Sequence, residues 1–328
     1  MKDTELAPMM KRVECCDTEA VRFAAARKYL SMLFFALTGA HGAEVTKGPD
    51  VLTGDVARFY QVFEAAGGHP TAQQLERDYL APGSAALHEF VRLRRVTPER
   101  IAQAIATQPE TYANARRCLI ALPAVKTRLV LAFARLATLY PDAKFPPVTI
   151  VVGRGRPVGI TDPSGVTIGL EALCAADFMD PNIEDRFVHV IAHEYGHAQQ
   201  TAEIQALEPG AAQATVLRMS LMEGVGEFVA ELISGGIGEF QLNAWTKGKE
   251  ADIEAAFVRD QDKTDLSAWM YSGVGDRDHP GDLGYWVGYR IVKAYYARAG
   301  DKQAALKDIF EMPDAKAFLA RSRWAPGG

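Results

Sequence analysis

His193-Glu194-Tyr195-Gly196-His197 reads His-Glu-x-x-His, a spacing with a chemical use. On a helix, residues four apart share a face with Cβ atoms about 5–6 Å apart. Two imidazoles so placed can hold one zinc ion at about 2.0–2.1 Å per nitrogen. Glu194 is turned about 100° around the helix from the first histidine, where it can reach a water beside the metal without ligating it. His193 and His197 are therefore candidate metal ligands and Glu194 a candidate catalytic base. The alternative is a helix whose histidines are only hydrogen-bonded. Against it, the apolar lead-in FVHVIA indicates burial, and three clustered histidines are hard to satisfy without a metal or carboxylates. His189, on the His193 face, could support the ligands from behind, but a surface or packing role is the expected one. His88-Glu89 has no second histidine at the right distance and receives none.

A catalytic zinc takes a third protein ligand and keeps one position open. Glu223-Gly224-Val225-Gly226-Glu227 supplies two carboxylates on one helical face, with Glu231 continuing the stripe. Each glycine costs about 1 kcal/mol in a helix interior, so the pair beside Glu223 signals the close approach of another backbone. Glu223 is assigned as third ligand and Glu227 as the carboxylate orienting an imidazole. The reverse assignment stays open. An oxyanion also needs a donor. Candidates lie in Asp278-His279-Pro280-Gly281-Asp282-Leu283-Gly284-Tyr285 and at Tyr289; Tyr285 is selected, although a core stripe would explain both tyrosines equally well.

The elements that must position these residues can be outlined. ARFYQVFEAA, SAALHEFVRLR, PERIAQAIATQ and VKTRLVLAFARLATLY carry apolar residues three and four apart and read as helices. VTIVVG reads as a strand, and VGIT and VTIGL flank Asp162-Pro163-Ser164-Gly165 as a hairpin. VTIGL, just ahead of the metal helix, is the expected edge for an extended peptide. Asp180-Pro181 should open the metal helix, which runs to about Ala206. A second helix covers about Ala212 to Ser234, and more helices follow from about Ala251. Gly153-Arg154-Gly155 is no dinucleotide loop, because no helix follows it. The fold class is α+β, predominantly helical, with a small hairpin-bearing sheet ahead of the HExxH helix.

HEYGH followed on a later helix by EGVGE resembles the gluzincin class of metallopeptidases. With YLAPGSAALHEFVRLR, VTIGLEAL, PGDLGYWVGYRIVKAYY and FLARSRW, the chain is similar to a family of predicted bacterial zinc-dependent proteases related to gliding-motility lipoproteins. The resemblance implies a zincin-like fold and a metallopeptidase that hydrolyses peptide bonds of a peptide or protein substrate through a metal-activated water. It implies one zinc per chain and names no substrate. The other readings are a non-catalytic exported binding protein on the same fold, or a zinc hydrolase of non-peptide substrates.

Composition adds limits. A net charge of -5 gives no electrostatic reason to expect nucleic acid, and Arg92-Leu93-Arg94-Arg95 reads as a solvated helix face without interleaved aromatics. Arg22, Arg27 and Lys28 precede the short apolar run YLSMLFFALTG, so residues 1–43 read as a signal peptide cleaved near Ala40 to Ala43. The expectation is an exported protein, periplasmic or secreted, with no membrane span in the mature chain; the alternative is a cytoplasmic protein in which this run is a buried N-terminal helix. Residues 44–146 are expected to be a helical segment and 147–328 the catalytic region, the two making one compact unit. Among Cys15, Cys16, Cys118 and Cys174 there is no CxxC. Cys118 and Cys174 can pair in an exported protein, but buried free thiols are expected.

Overall fold

A four-stranded sheet and a layered set of helices build the molecule. The structure, a computed structural model, describes residues 49–156, 158–176, 179–238, 240–272 and 281–328. The signal-peptide expectation over 1–43 lies outside them. In chain order β1 (Val51–Leu52) is followed by α1 (Gly54–Ala65), α2 (Ala72–Leu75), α3 (Ala85–Arg94), α4 (Pro98–Thr107), α5 (Pro109–Ala115) and α6 (Leu122–Leu139). Then come β2 (Val148–Val151), β3 (Gly159–Asp162), β4 (Gly165–Gly169), α7 (Leu170–Ala175), α8 (Ile183–Gln199) and α9 (Ala202–Gln205). The chain closes with α10 (Val216–Ser234), α11 (Phe240–Thr246), α12 (Glu250–Asp260), α13 (Leu283–Arg298), α14 (Lys302–Glu311) and α15 (Ala315–Ser322). This is the expected α+β class, mostly helical. No helix among the described residues is long and apolar enough to cross a membrane.

Local chemistry sets the boundaries. Ser84, Thr97 and Thr215 cap α3, α4 and α10 by accepting from the backbone three residues on, and Pro98 starts α4. Gly235 ends α10 in the left-handed region at φ 79°. The cap of α8 corrects the sequence reading. Asn182 accepts from the amides of Glu184 and Asp185, while Asp180 accepts from the Asn182 amide one turn earlier. The helix also stops sooner than expected, at Gln199, because Thr201 caps the separate α9.

The sheet order is β1-β2-β4-β3, with β1 and β4 parallel to β2 and β3 antiparallel to β4. Asp162 pairs with Gly165 around Pro163-Ser164, and Gly165 takes the positive φ of 145° that the turn needs. The expected hairpin is present, but its edge is not the expected one. β4, carrying Val166 to Ile168, lies inside the sheet between β2 and β3, so β3 is the edge. Before β3, Glu171 reaches back from α7 and accepts from the amides of Gly153 and Gly155; those amides hold a carboxylate, not a phosphate.

α8 packs on β3 and β4 and against α10, which in turn lies along α13. The glycines permit this. A Cβ on Gly196 of α8 would sit 2.8 Å from the Gly226 Cα of α10, and one on Gly224 would run into the Gly288-Tyr289 backbone of α13. α10 thus has helices pressed against two sides, which explains why most of it is buried. Cys118, in the 3-10 turn Arg116–Ala121, is disulfide-bonded to Cys174 of α7 with Cα atoms 6.0 Å apart. The pairing overturns the expectation of free thiols.

Candidate metal centre

His193 and His197 project from the last two turns of α8 toward α10. Their Nε2 atoms lie 3.0 Å apart, and Glu223 Oε2 stands 3.2 Å from the His197 Nε2 and 3.5 Å from that of His193. The opposite ring edges are tied down. His193 Nδ1 donates to Glu227 Oε1 at 2.9 Å. Gln200 gives its amide N–H to the Met222 carbonyl, which leaves its Oε1 to accept from His197 Nδ1 at 2.9 Å. With both Nδ1 atoms donating, each ring has only its Nε2 left to offer, and these two atoms face each other and a carboxylate oxygen. Three such acceptors in a buried place repel one another unless a cation, either a proton or a metal ion, lies among them.

The dimensions suit a metal. Tetrahedral zinc with bonds of about 2.0–2.2 Å separates neighbouring ligand atoms by roughly 3.3–3.5 Å, close to the triangle observed. The donor set of two imidazoles and one carboxylate is a familiar one for catalytic zinc, with a fourth position left over. Electrostatics points the same way. Burial disfavours the charged form of His193, yet the carboxylates of Glu223 and Glu227 outweigh it and hold the ring well above the usual imidazole range. Burial opposes the Glu223 charge as well, and His193 and His197 overrule it, holding the carboxyl far below its ordinary value. The centre is strongly cation-attracting.

The other residues singled out by sequence fall into distinct places. Glu194 is buried against β3, where Oε2 accepts from Thr161 Oγ1 at 2.7 Å. Gly159 lies against the same carboxylate so closely that its missing Cβ would strike it; a Cβ there would sit 3.0 Å from the Glu194 Cγ. The Glu194 charge is felt at both imidazoles. Glu227 lies behind His193, with Oε2 3.2 Å from His189 Nε2, so His189 is buried beside that carboxylate. A second cluster of His189, His193 and Glu227 results, sharing the His193 ring with the first. Tyr285 stacks its ring on His193 at 6.3 Å and 21°. Tyr289 points elsewhere, donating to Glu231 Oε2 at 2.7 Å, and Lys293 pairs with that glutamate. His88 bonds the Leu80 carbonyl, away from the centre. Asp278, His279 and Pro280 lie outside the described residues.

Three partners were not foreseen. Thr161 holds Glu194, Gln200 holds His197, and Tyr271 donates its hydroxyl to Glu223 Oε1 at 2.9 Å. Tyr271 also meets the Tyr285 ring edge-on at 6.3 Å. Its backbone is in the left-handed region at φ 57°, an unusual place for an aromatic residue. Desolvation and the Glu223 charge hold its phenol above the usual range.

Residues 176–318, which carry both motifs, match the DUF2268 family, described as predicted Zn-dependent protease. The resemblance to predicted zinc-dependent proteases is borne out. This DUF2268 segment contains His193, Glu194, His197, Glu223, Tyr271 and Tyr285, but not Thr161, which reaches Glu194 from β3 ahead of it. No curated protein and no solved structure gives a significant match.

Proposed function

We propose that the protein is a zinc-dependent metallopeptidase of zincin-like fold, binding one zinc per chain through His193, His197 and Glu223. The observation that carries this reading is the convergence of three lone-pair atoms at 3.0, 3.2 and 3.5 Å, with both remaining imidazole nitrogens already committed. When bound, zinc supplies Lewis acidity, polarising a carbonyl and making water acidic enough to attack at neutral pH. The protein's own residues do the rest. Glu194 receives the proton of the attacking water and returns it to the leaving amine. Thr161 and the packing of Gly159 fix the carboxylate, so the base is aimed before substrate arrives. Glu227 keeps the His193 ring in the tautomer that leaves Nε2 available, and Gln200 does this for His197.

Tyr285, whose ring stacks on His193, is the phenol we assign to a developing oxyanion, while the hydroxyl of Tyr271 is engaged with Glu223. A polypeptide substrate is favoured by the edge of β3, which has no partner strand on that side among the described residues and which an extended chain can join as a fifth strand, running past Glu194. The Cys118–Cys174 disulfide supports an oxidising compartment, hence export to the periplasm or beyond.

The test is metal analysis of dialysed wild type beside His193→Ala, with casein cleavage by wild type and Glu194→Gln. The reading expects about one zinc in wild type, loss of zinc in His193→Ala, and cleavage reduced about 10²–10⁴-fold in a zinc-replete Glu194→Gln. Zinc without cleavage of any polypeptide would transfer the centre to a non-peptide substrate; no zinc would end the proposal.

A further inference from the structure

A group of arginines beside the centre has no partner of opposite charge. Arg94 and Arg95 end α3, Arg100 lies in the first turn of α4, and Arg154 and Arg156 stand in the β2–β3 loop. None of the five forms an ion pair with a carboxylate among the described residues, whereas neighbouring Arg92 is paired with Glu89. The two segments meet: Arg154 Nη2 lies 3.5 Å from the Arg94 carbonyl, and Arg100 Nη1 donates to the Arg95 carbonyl at 2.9 Å. The buried Arg154 Nε has no hydrogen-bond partner. Desolvation and the charges of Arg100 and Arg156 hold the Arg154 guanidinium below its ordinary value, so the positive charges act on one another. Glu171, beneath the loop, is taken up by the amides of Gly153 and Gly155 and does not balance them.

The cluster reaches the metal centre along two routes. Arg156 is three residues before Gly159, no more than about 10 Å of extended chain from the residue that packs on Glu194. The charge of Arg94 is felt at the Tyr271 phenol, which bonds Glu223. In a chain of net charge -5, unpaired like charges gathered in one place weaken the fold unless a ligand supplies the counter-charge.

We propose that Arg94, Arg95, Arg100, Arg154 and Arg156 form the recognition site for an acidic stretch of the polypeptide substrate, rich in Asp and Glu, lying along β3 beyond the scissile bond. The proposal rests on the peptidase reading for the word substrate, and on the arginines alone for the binding. Guanidinium forks suit carboxylates. An acidic peptide fits better than nucleic acid because the described cluster offers no aromatic side chain of its own for bases to stack on.

The experiment uses full-length zinc-loaded Glu194→Gln protein and fluorescence anisotropy with two labelled peptides, one carrying a run of glutamates and one with glutamines in their place. The acidic peptide should bind about tenfold more tightly, with the preference shrinking as salt rises. Arg94→Gln/Arg154→Gln/Arg156→Gln should abolish the preference, and the corresponding triple Lys variant should retain most of it. Equal binding of the two peptides, or a preference that survives the Gln triple, overturns the proposal. So does tighter binding of a single-stranded oligonucleotide of equal charge. Wild-type cleavage assays separate the two readings: patch-dependent binding without cleavage removes the peptidase alone, and cleavage without acidic preference removes the patch alone.

Discussion

Gly226 lies flat against the ring of His193: a Cβ at that position would meet ring atoms at 2.6 to 2.8 Å. The glycine on α10 therefore sets how near the imidazole stands to Glu223, one turn earlier on the same helix. Gly226→Ala should push the ring away, lowering zinc affinity about 10–100-fold, the range typical of a lost supporting contact. Competition with a chromophoric chelator measures this directly. Unchanged affinity would mean that the helices separate at little cost.

Glu223 and Glu227 both touch His193, but on opposite edges of the ring. Glu223→Ala is expected to lose the metal on dialysis. Glu227→Ala should keep it at roughly tenfold weaker affinity, since only the orienting hydrogen bond is gone. The reverse pattern in metal analysis would exchange the two roles.

The two tyrosines are separable by kinetics. Tyr285→Phe retains the ring stacked on His193 and removes only the hydroxyl. If that hydroxyl serves the oxyanion, kcat falls about 10²–10³-fold with KM nearly constant. Tyr271→Phe removes the bond to Glu223 Oε1 and should show first as weaker zinc retention. Loss of kcat in Tyr271→Phe alone, with full zinc, would move the oxyanion role to Tyr271.

Zinc uptake should release a proton. In the metal-free protein the flanking carboxylates hold His193 well above the usual imidazole range, so at neutral pH the ring is charged. Binding requires the Nε2 lone pair, and about one proton must leave. Zinc affinity should consequently rise with pH through neutrality. Calorimetry in buffers of different ionisation enthalpy counts the protons; a count of zero would contradict the geometry around His193.

The parts legible in sequence were those that one helix or one turn dictates. HEYGH and EGVGE declare shared faces by spacing, and Gly224 and Gly226 declare close approach because a helix interior tolerates them at a cost. Asp162-Pro163-Ser164-Gly165 specifies its hairpin through backbone angles. What stayed hidden depends on elements meeting across the fold. Thr161, Gln200 and Tyr271 are ordinary polar residues until β3, the break after α8 and the chain after α12 bring them to Glu194, His197 and Glu223. The interior place of β4 follows from its parallel pairing with β2, a non-consecutive partnership that no local pattern announces. Asp180 looked like the helix cap because aspartate suits that position, but Asn182 stands nearer the first helical amides and takes it. The pairing of Cys118 with Cys174 likewise needed the 3-10 turn and α7 side by side.

Ser272 and Asp282 grip each other on either side of residues 273–280: the Ser272 amide donates to Asp282 Oδ1 at 2.9 Å, and the Asp282 amide donates to Ser272 Oγ at 3.1 Å. These are two posts a fixed distance apart, with Tyr271 rooted at one and α13, bearing Tyr285, rooted at the other. Because this clasp joins the two posts, a change at Ser272 or Asp282 should be felt at both tyrosines together.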